Sequence, residues 1–170
     1  MDAKVYFSKV KEGAKIPSKR DEDAAFDIYA CFDEPYIIID PHETKMIPTG
    51  IASACSKNFC FILKERGSTG SKGIAQRCGV IDSGYRGEWF VPVTNTTDCT
   101  IAITKKGKEL ELQKSCLQVG ILCKIYPAEK AICQALVVPV PRVVVEEVQF
   151  DELNKMTSER GVGALGSSGK

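Results

Sequence analysis

The sequence predicts an all-β fold, a sandwich or a jelly-roll barrel, because short apolar segments recur at close spacing with turn-forming residues between them. The segments are VYF near the start, YIII at 36–39, FCFIL at 59–63, WFVPV at 89–93, TIAIT at 100–104, ICQALVV at 132–138 and VVV at 143–145. The turn signals include Asp33-Glu34-Pro35, Pro48-Thr49-Gly50, Ser83-Gly84 and Lys106-Gly107. Helical turns are expected only around 69–73 and 151–156, so sheets should form the body of the protein.

Length and composition fit one compact domain followed by an arm. The chain has 170 residues, a size at which one core can bury most of its apolar surface. We expect residues 1–150 to form the barrel and residues 151–170, which end in a glycine- and serine-rich stretch, to form a mobile C-terminal arm.

Composition also excludes several classes of function. The apolar runs are too short to span a bilayer, and the N-terminus lacks a secretory pattern, so we expect no membrane association and a cytoplasmic location. The formal net charge is +1 with scattered basic residues, which argues against nucleic-acid binding. The eight cysteines include no C-x-x-C pair and His42 is the only histidine, so reduced core thiols are expected rather than zinc ligands.

Two segments carry residues suited to chemistry. The stretch CGVIDSGYRGEWFVPVTN (78–95) predicts a β-hairpin that turns at Ser83-Gly84 and places Asp82 beside the turn. A carboxylate held there can act as a general base or can simply cap the turn. The loop 65–73 combines Arg66, Ser68 and Lys72 with glycines, which suits phosphate binding but also suits a solvated turn.

Five segments match, in order, the five motifs of the trimeric dUTPase family, and the chain resembles that family over most of its length. They are AAFDIYA at 24–30, Arg66-Gly67-Ser68, GVIDSGYRG at 79–87, EKAICQ at 129–134 and RGVGALGSSG at 160–169. The resemblance implies a dUTPase-like distorted jelly-roll β-barrel, assembled as a homotrimer in which each active site draws residues from all three chains. It also implies Mg²⁺-dependent hydrolysis of dUTP to dUMP and pyrophosphate, which lowers dUTP and supplies dUMP for dTMP synthesis.

The resemblance assigns a role to each candidate residue. Asp82 would activate the water that attacks the α-phosphorus, and Asp27 would position Mg²⁺ through water. The backbone of Gly79, Val80 and Ile81 would read uracil, while the Tyr85 ring would lie against deoxyribose and exclude a 2′-hydroxyl. The residues expected to contact the phosphates or complete the substrate site are Arg66, Gly67, Ser68, Gln76, Gln134, Arg160, Leu165, Gly166, Ser167 and Ser168.

Three departures from the family pattern stand out. Ala25 occupies the glycine position of the first motif. Gly67 follows Arg66 directly, so Ser68 comes one place later than the usual serine. Leu165 stands where the family usually has a phenylalanine over uracil, so the arm would close over the nucleotide with an apolar cover but without aromatic stacking.

The segment 96–129 is longer than in compact members of the family. TIAITKKGKELELQ predicts an added hairpin in which Ile101 and Ile103 face Leu110 and Leu112 across a Lys-Lys-Gly-Lys turn. It could be a surface extension, a trimer cap or a binding site for a protein partner, and similar inserts in phage and bacterial relatives make a viral or prophage source plausible.

Two other functions are compatible with these residues. One is a dCTP deaminase, alone or combined with dUTPase activity, although Glu88 is the only acid near the predicted hairpin that could serve it. The other is a regulatory protein that binds a partner through 96–129.

Overall fold

The computed structural model describes residues 3–77 and 79–161, and within them strands dominate. The strands are β1 (Val5–Lys9), β2 (Ala25–Ile28), β3 (Tyr36–Ile39), β4 (Thr44–Pro48), β5 (Ile51–Cys55), β6 (Phe59–Lys64), β7 (Ile74–Gln76), β8 (Val80–Ile81), β9 (Phe90–Asn95), β10 (Thr100–Thr104), β11 (Cys123–Pro127) and β12 (Cys133–Pro139). The helices are α1 (Gly67–Gly70), α2 (Glu109–Gln118) and α3 (Phe150–Lys155). The prediction of an all-β fold is confirmed.

The strands form four small sheets, and most strands pair with partners that are distant in sequence. The orders are β1-β5, β11-β10-β3, β2-β12-β6-β8 and β4-β9-β7. All pairs are antiparallel except β10 with β11. Such crossed connections between small sheets are typical of jelly rolls.

Aromatic rings fill the centre of the core. Trp89 and Phe61 are both completely buried, and their ring centroids lie 5.0 Å apart in an edge-on arrangement. Phe7 packs against both rings, at 5.8 Å from Trp89 and 5.4 Å from Phe61. This cluster joins the start of the chain to the segment that carries Asp82.

The predicted hairpin over 78–95 is wrong, although its turn is present. β8 pairs with β6, whereas β9 pairs with β4 and β7, so the two strands belong to different sheets. The backbone N–H of Tyr85 still donates to the carbonyl of Asp82 at 3.1 Å, which closes the turn. Asp82 therefore lies where the chain leaves one sheet for another.

The predicted hairpin within 96–129 is also wrong, because a helix connects two parallel strands. β10 is buried along its whole length between β3 and β11, and parallel neighbours require a long crossover. The residues after Lys108 are strong helix formers, and Glu109 and Glu111 lie in the first turn, where acidic side chains stabilise a helix.

Leu112→Ala should lower the free energy of unfolding by about 2–5 kcal/mol, because Leu112 is the buried residue of α2. Leu110 is 73% exposed, so Leu110→Ala should change the free energy of unfolding by less than about 0.5 kcal/mol. Urea denaturation of both variants at one protein concentration measures the difference. Comparable losses would contradict the helix, since a strand would place these two residues on one face.

The chain divides after Val140 into two units, ten residues before the expected boundary at 150. In the second unit the described residues include α3, which has no buried side chain. The Ser158 hydroxyl accepts hydrogen bonds from the backbone N–H groups of Arg160 and Gly161, at 3.2 and 2.9 Å. The described part of the chain contains no helix that could cross a membrane.

Candidate functional site

A polar cleft of about 680 Å³ opens beside the end of β6. Charged side chains dominate its wall. The lining residues are Ser18, Lys19, Arg20, Glu22, Asp23, Ala24, Ala25, Asp27, Arg66 and Gln134. The structure thus brings three of the predicted site residues together, from the first, second and fourth motif-like segments.

Arg66 lies at the centre of this cleft and makes contacts on two sides. Its Nε and Nη2 meet the two carboxylate oxygens of Asp27 at 3.0 and 3.4 Å, a bidentate ion pair. Its Nη1 donates to the Ser68 hydroxyl at 3.3 Å and to the Ala131 carbonyl at 3.4 Å. The guanidinium is therefore fixed in place while about 29% of the side chain remains exposed.

The backbone around Arg66 explains this position. Thr69 is fully buried, and its hydroxyl donates to the Arg66 carbonyl at 3.0 Å while accepting from the Arg66 N–H at 3.2 Å. The first turn of α1 therefore begins on a rigid residue. Gly67 and Ser68 lie in α1 and are exposed.

Neighbouring strands carry the other two residues of the cleft. Asp27 on β2 stands opposite Gln134 on β12, and Gln134 stands opposite Lys64 on β6. The Gln134 amide donates to the Glu65 carbonyl at 2.7 Å. Because register fixes these pairs, the side chains of Asp27 and Gln134 lie at adjacent points on the sheet.

A second, smaller pocket of about 270 Å³ surrounds the turn after β8. It contains four more of the predicted residues, Val80, Ile81, Asp82 and Tyr85. The lining residues are Met46, Val80, Ile81, Asp82, Tyr85, Glu88 and Phe90. β8 ends the order of its sheet, so one edge of its backbone faces away from β6 and can pair with a ligand.

Two glycines of this region lie so close to neighbouring atoms that a side chain would not fit. A Cβ on Gly79 would lie 2.7 Å from Cβ of Leu63, and the Gly79 carbonyl accepts from the Leu63 N–H at 2.7 Å. A Cβ on Gly87 would overlap the ring of Tyr85, whose hydroxyl donates to the Glu88 carbonyl at 3.0 Å. Only glycine permits either approach.

The two pockets are distinct within one chain. Ile81 stands opposite Phe61 on β6, whereas Gln134 stands opposite Lys64 on the other side of the same strand. Three residues of strand correspond to about 10 Å. The first pocket therefore gathers Asp27, Arg66 and Gln134, with Ser68 bonded to Arg66. The second gathers Val80, Ile81, Asp82 and Tyr85.

Gln76 lies beside Gly79, although it lines neither pocket. Gln76 is at the end of β7, in a different sheet, and its amide contacts the Arg77 carbonyl. Arg160 lies in the second unit. Leu165, Gly166, Ser167 and Ser168 lie outside the described residues.

Some residues of the first cleft had no signal in the motifs. Arg20 forms an ion pair with Asp23 at 2.8 Å, and this guanidinium lowers the pKa of the Asp23 carboxyl to about 2. The Lys19-Arg20 dipeptide ends three residues before the first motif begins at Ala24, and this pair of basic residues was the available clue. Beside the cleft, Thr69 and Tyr126 donate to the backbone carbonyls of Arg66 and Ala131, and no motif pointed to either residue.

The Cys133 thiol and the Glu88 carboxylate could be reactive groups, but burial and a backbone contact give them structural roles. Burial raises the pKa of the Cys133 thiol to about 12, so the thiol stays protonated. The Glu88 carboxylate accepts the Gly50 N–H at 2.7 Å, which ties it to the turn before β5. Residues 3–77 and 79–161 contain no cluster of three or more His, Cys, Asp or Glu side chains placed to hold a metal.

Comparison with known proteins identifies the family. The dUTPase family model matches residues 11–108, more than half of the chain. Deoxyuridine 5'-triphosphate nucleotidohydrolase of Psychrobacter sp. is 33% identical over 100% of this chain and 97% of its own length. The enzyme of the same name from Nautilia profundicola is 30% identical, covering 98% and 99% of the two chains.

Solved structures agree in fold. The dUTPase of Staphylococcus bacteriophage 80alpha, with dUpNHpp, superposes with a TM-score of 0.71 at 21% identity, covering 98% of this chain and 99% of that one. A mutant dUTPase from phage phi11 of S. aureus, whose structure reveals the coordination of a structural Mg(II) ion, gives a TM-score of 0.65 at 18% identity, with 87% of this chain and 99% of that one covered. Together with the family match and the full-length relatives, the five motif-like segments and the two pockets show that this chain belongs to the dUTPase family.

Proposed function

We propose that this chain hydrolyses dUTP to dUMP and pyrophosphate, which lowers dUTP and supplies dUMP for dTMP synthesis. The observation that carries the proposal is the arginine of the polar cleft, Arg66, fixed by Asp27 and still open to solvent. In a dUTPase-family chain, such a group suits a polyphosphate. The turn at Asp82 supplies a carboxylate for the reacting water.

Asp82 is the general base in this proposal. Its carboxylate takes a proton from a water molecule, whose oxygen attacks the α-phosphorus. A bond forms from that oxygen to phosphorus, and the bond from phosphorus to the oxygen that bridges to the β-phosphate breaks. The electron pair leaves with pyrophosphate, and dUMP keeps the new oxygen.

Arg66 and its neighbours bind the phosphate chain. The guanidinium donates to phosphate oxygens from its exposed side, and its contacts to Asp27 and Ala131 keep it oriented. Further hydrogen-bond donors to the phosphate chain come from Gly67, Ser68 and Gln134. Arg160, Gly166, Ser167 and Ser168 of the arm would add further contacts, with Leu165 as an apolar cover.

Asp27 fits an indirect role toward Mg²⁺. Its carboxylate oxygens already accept from Arg66, yet the side chain is about 36% exposed in an open cleft, so remaining lone pairs can accept from a metal-bound water. Mg²⁺ commonly keeps several waters and binds substrate phosphates with few protein carboxylates. When bound, the ion would neutralise charge on the phosphates.

The pocket beside β8 selects base and sugar. The free edge of β8 at Val80 and Ile81 can match the acceptor, donor and acceptor pattern of uracil, starting from Gly79. Tyr85 is held over Gly87 by its contact with Glu88, so its ring forms a rigid wall for deoxyribose. Gln76 contributes a polar side chain near Gly79.

Gly87→Ala should raise KM for dUTP and weaken discrimination against UTP by about tenfold, because the added Cβ would displace the Tyr85 ring. Steady-state kinetics with both nucleotides measures the change. Gly84→Ala is the matched control, since a Cβ there meets nothing within 4 Å. If Gly87→Ala keeps the original preference for dUTP over UTP, as the control Gly84→Ala should, then the Tyr85 ring is not the wall that excludes the 2′-hydroxyl.

A homotrimer would bring the two pockets together. Within one chain, Asp82 and Arg66 belong to separate pockets, whereas the reaction needs both groups on one nucleotide. We infer that the cleft of one chain meets the β8 turn of a neighbouring chain, as the family resemblance implies.

The decisive experiment measures pyrophosphate release from dUTP with Mg²⁺. Parallel assays with dCTP for ammonia release test the deaminase alternative. We expect no ammonia, because Glu88 is engaged with the Gly50 N–H. No pyrophosphate from dUTP, or ammonia from dCTP, would overturn the proposal.

Two further expectations stay predictions. A protein partner for residues 96–129 is supported by exposed apolar side chains on α2 and the loop after it, namely Leu110, Leu117, Val119, Ile121 and Leu122. The cytoplasm is the expected location.

A further inference from the structure

Tyr126 is a buried aromatic residue that lies against the polar cleft without lining it. It belongs to β11 and is 2% exposed. Its hydroxyl donates to the Ala131 carbonyl at 2.7 Å. The same carbonyl accepts Nη1 of Arg66 at 3.4 Å, so one backbone oxygen joins the two side chains.

This shared carbonyl fixes the side of Arg66 that Asp27 does not hold. Asp27 takes Nε and Nη2, which leaves Nη1 to Ser68 and Ala131. Ser68 is exposed, whereas Ala131 is 2% exposed. The Ala131 carbonyl is therefore the rigid anchor for Nη1, and the Tyr126 hydroxyl holds that anchor.

The surroundings of Tyr126 keep its hydroxyl protonated, so that it can donate its hydrogen bond to the Ala131 carbonyl. Burial raises the pKa of its hydroxyl, although the nearby Arg66 guanidinium and Ser68 hydroxyl oppose that rise. The hydroxyl therefore stays protonated at neutral pH. On the ring side, Nζ of Lys72 lies 5.5 Å from the ring centroid, within reach of a cation–π contact.

Tyr126 lies within the long segment 96–129 and connects the cleft to the preceding part of that segment. It stands opposite Ile103 in the parallel pair of β10 with β11, and β11 follows α2. The loop between α2 and β11 is held by a hydrogen bond from the Ile121 N–H to the Cys116 carbonyl at 2.8 Å. A displacement of β11 would therefore move the hydroxyl that holds Ala131.

We propose that Tyr126 is a positioning residue for phosphate binding, which acts by holding the Ala131 carbonyl and so the direction of Nη1 of Arg66. The proposal rests on the proposed function of the cleft. It predicts that α2, which precedes β11 within the segment 96–129, affects substrate affinity through β11 without any contact with the nucleotide.

The test compares Tyr126→Phe with the unaltered protein, with Mg²⁺ present. The loss of one neutral hydrogen bond should raise Kd for dUpNHpp, which carries the phosphate chain, by about 2- to 13-fold. Kd for dUMP, which lacks the β- and γ-phosphates, should change less than about twofold if the contact serves those groups. Tyr36→Phe on β3 removes a hydroxyl outside the cleft and is the matched control.

A double-mutant cycle separates positioning from general damage. In an Arg66→Lys background the Nη1 contact is gone, so Tyr126→Phe should produce no further rise in Kd for dUpNHpp. Equal weakening of dUMP and dUpNHpp, or a full effect that persists beside Arg66→Lys, would overturn the role of Tyr126. The unaltered protein's pyrophosphate release from dUTP tests the proposed function separately.

Discussion

Asp82→Asn should lower kcat for dUTP hydrolysis by about 100- to 10,000-fold, the usual contribution of a positioned general base. The asparagine side chain has nearly the same shape and leaves the backbone bond from Tyr85 to the carbonyl of residue 82 in place. It cannot take a proton from water. Pyrophosphate release under saturating dUTP and Mg²⁺ measures the loss, and the thermal midpoint should remain unchanged. Equal rates for the two proteins would reject Asp82 as the base.

The same variant can test whether sites are shared between chains. Asp82→Asn removes a group of the β8 pocket, and Arg66→Ala removes a group of the polar cleft. If each active site combines one pocket from each of two chains, unfolding and refolding a mixture of the two inactive variants should restore part of the activity. Separate refolding of each variant is the control. A mixture as inactive as its components would contradict a shared site.

Trp89→Ala should have the largest effect on stability, a loss of about 3–5 kcal/mol in the free energy of unfolding. The side chain is completely buried against Phe61 and Phe7. The backbone bonds of Trp89 to Thr49 and Ile51 do not involve the ring, so the loss comes from packing. Urea denaturation at fixed protein concentration measures it.

Two comparisons sharpen that measurement. Trp89→Phe should cost less, because it keeps an aromatic ring and because the indole nitrogen has no hydrogen-bond partner among the described residues. Phe90→Ala removes a neighbouring ring that is 42% exposed and should cost about 1 kcal/mol or less. A Phe90→Ala loss as large as that of Trp89→Ala would contradict the central position of Trp89.

Local patterns predicted the strands better than their partners. Segments such as YIII and FCFIL form strands as expected, because their composition favours a half-buried sheet. Their partners depend on contacts across the whole fold, so β8 and β9 separate into different sheets although a tight turn joins the segments around them. The alternating Glu-Leu-Glu-Leu of α2 suggested a strand, but its helix propensity and the parallel β10–β11 pair favour a helix.

The candidate site shows the same division between local and distant information. The motifs identified Asp27, Arg66 and Gln134, and the structure places these residues in one cleft. Tyr126 could not be predicted this way, because it acts on a backbone carbonyl whose position depends on β11 and β12 together. A buried tyrosine gives no sequence signal for the atom that its hydroxyl contacts.

The ion pair between Arg66 and Asp27 has a consequence for competition among cellular anions. A guanidinium and the carboxylate paired with it have little net charge together, so a single orthophosphate gains little attraction by approaching the pair. A ligand that supplies several phosphates, with a bound cation for the carboxylate, can satisfy both partners at once. The pair would therefore leave the cleft open to nucleoside triphosphates in a solution rich in simpler anions.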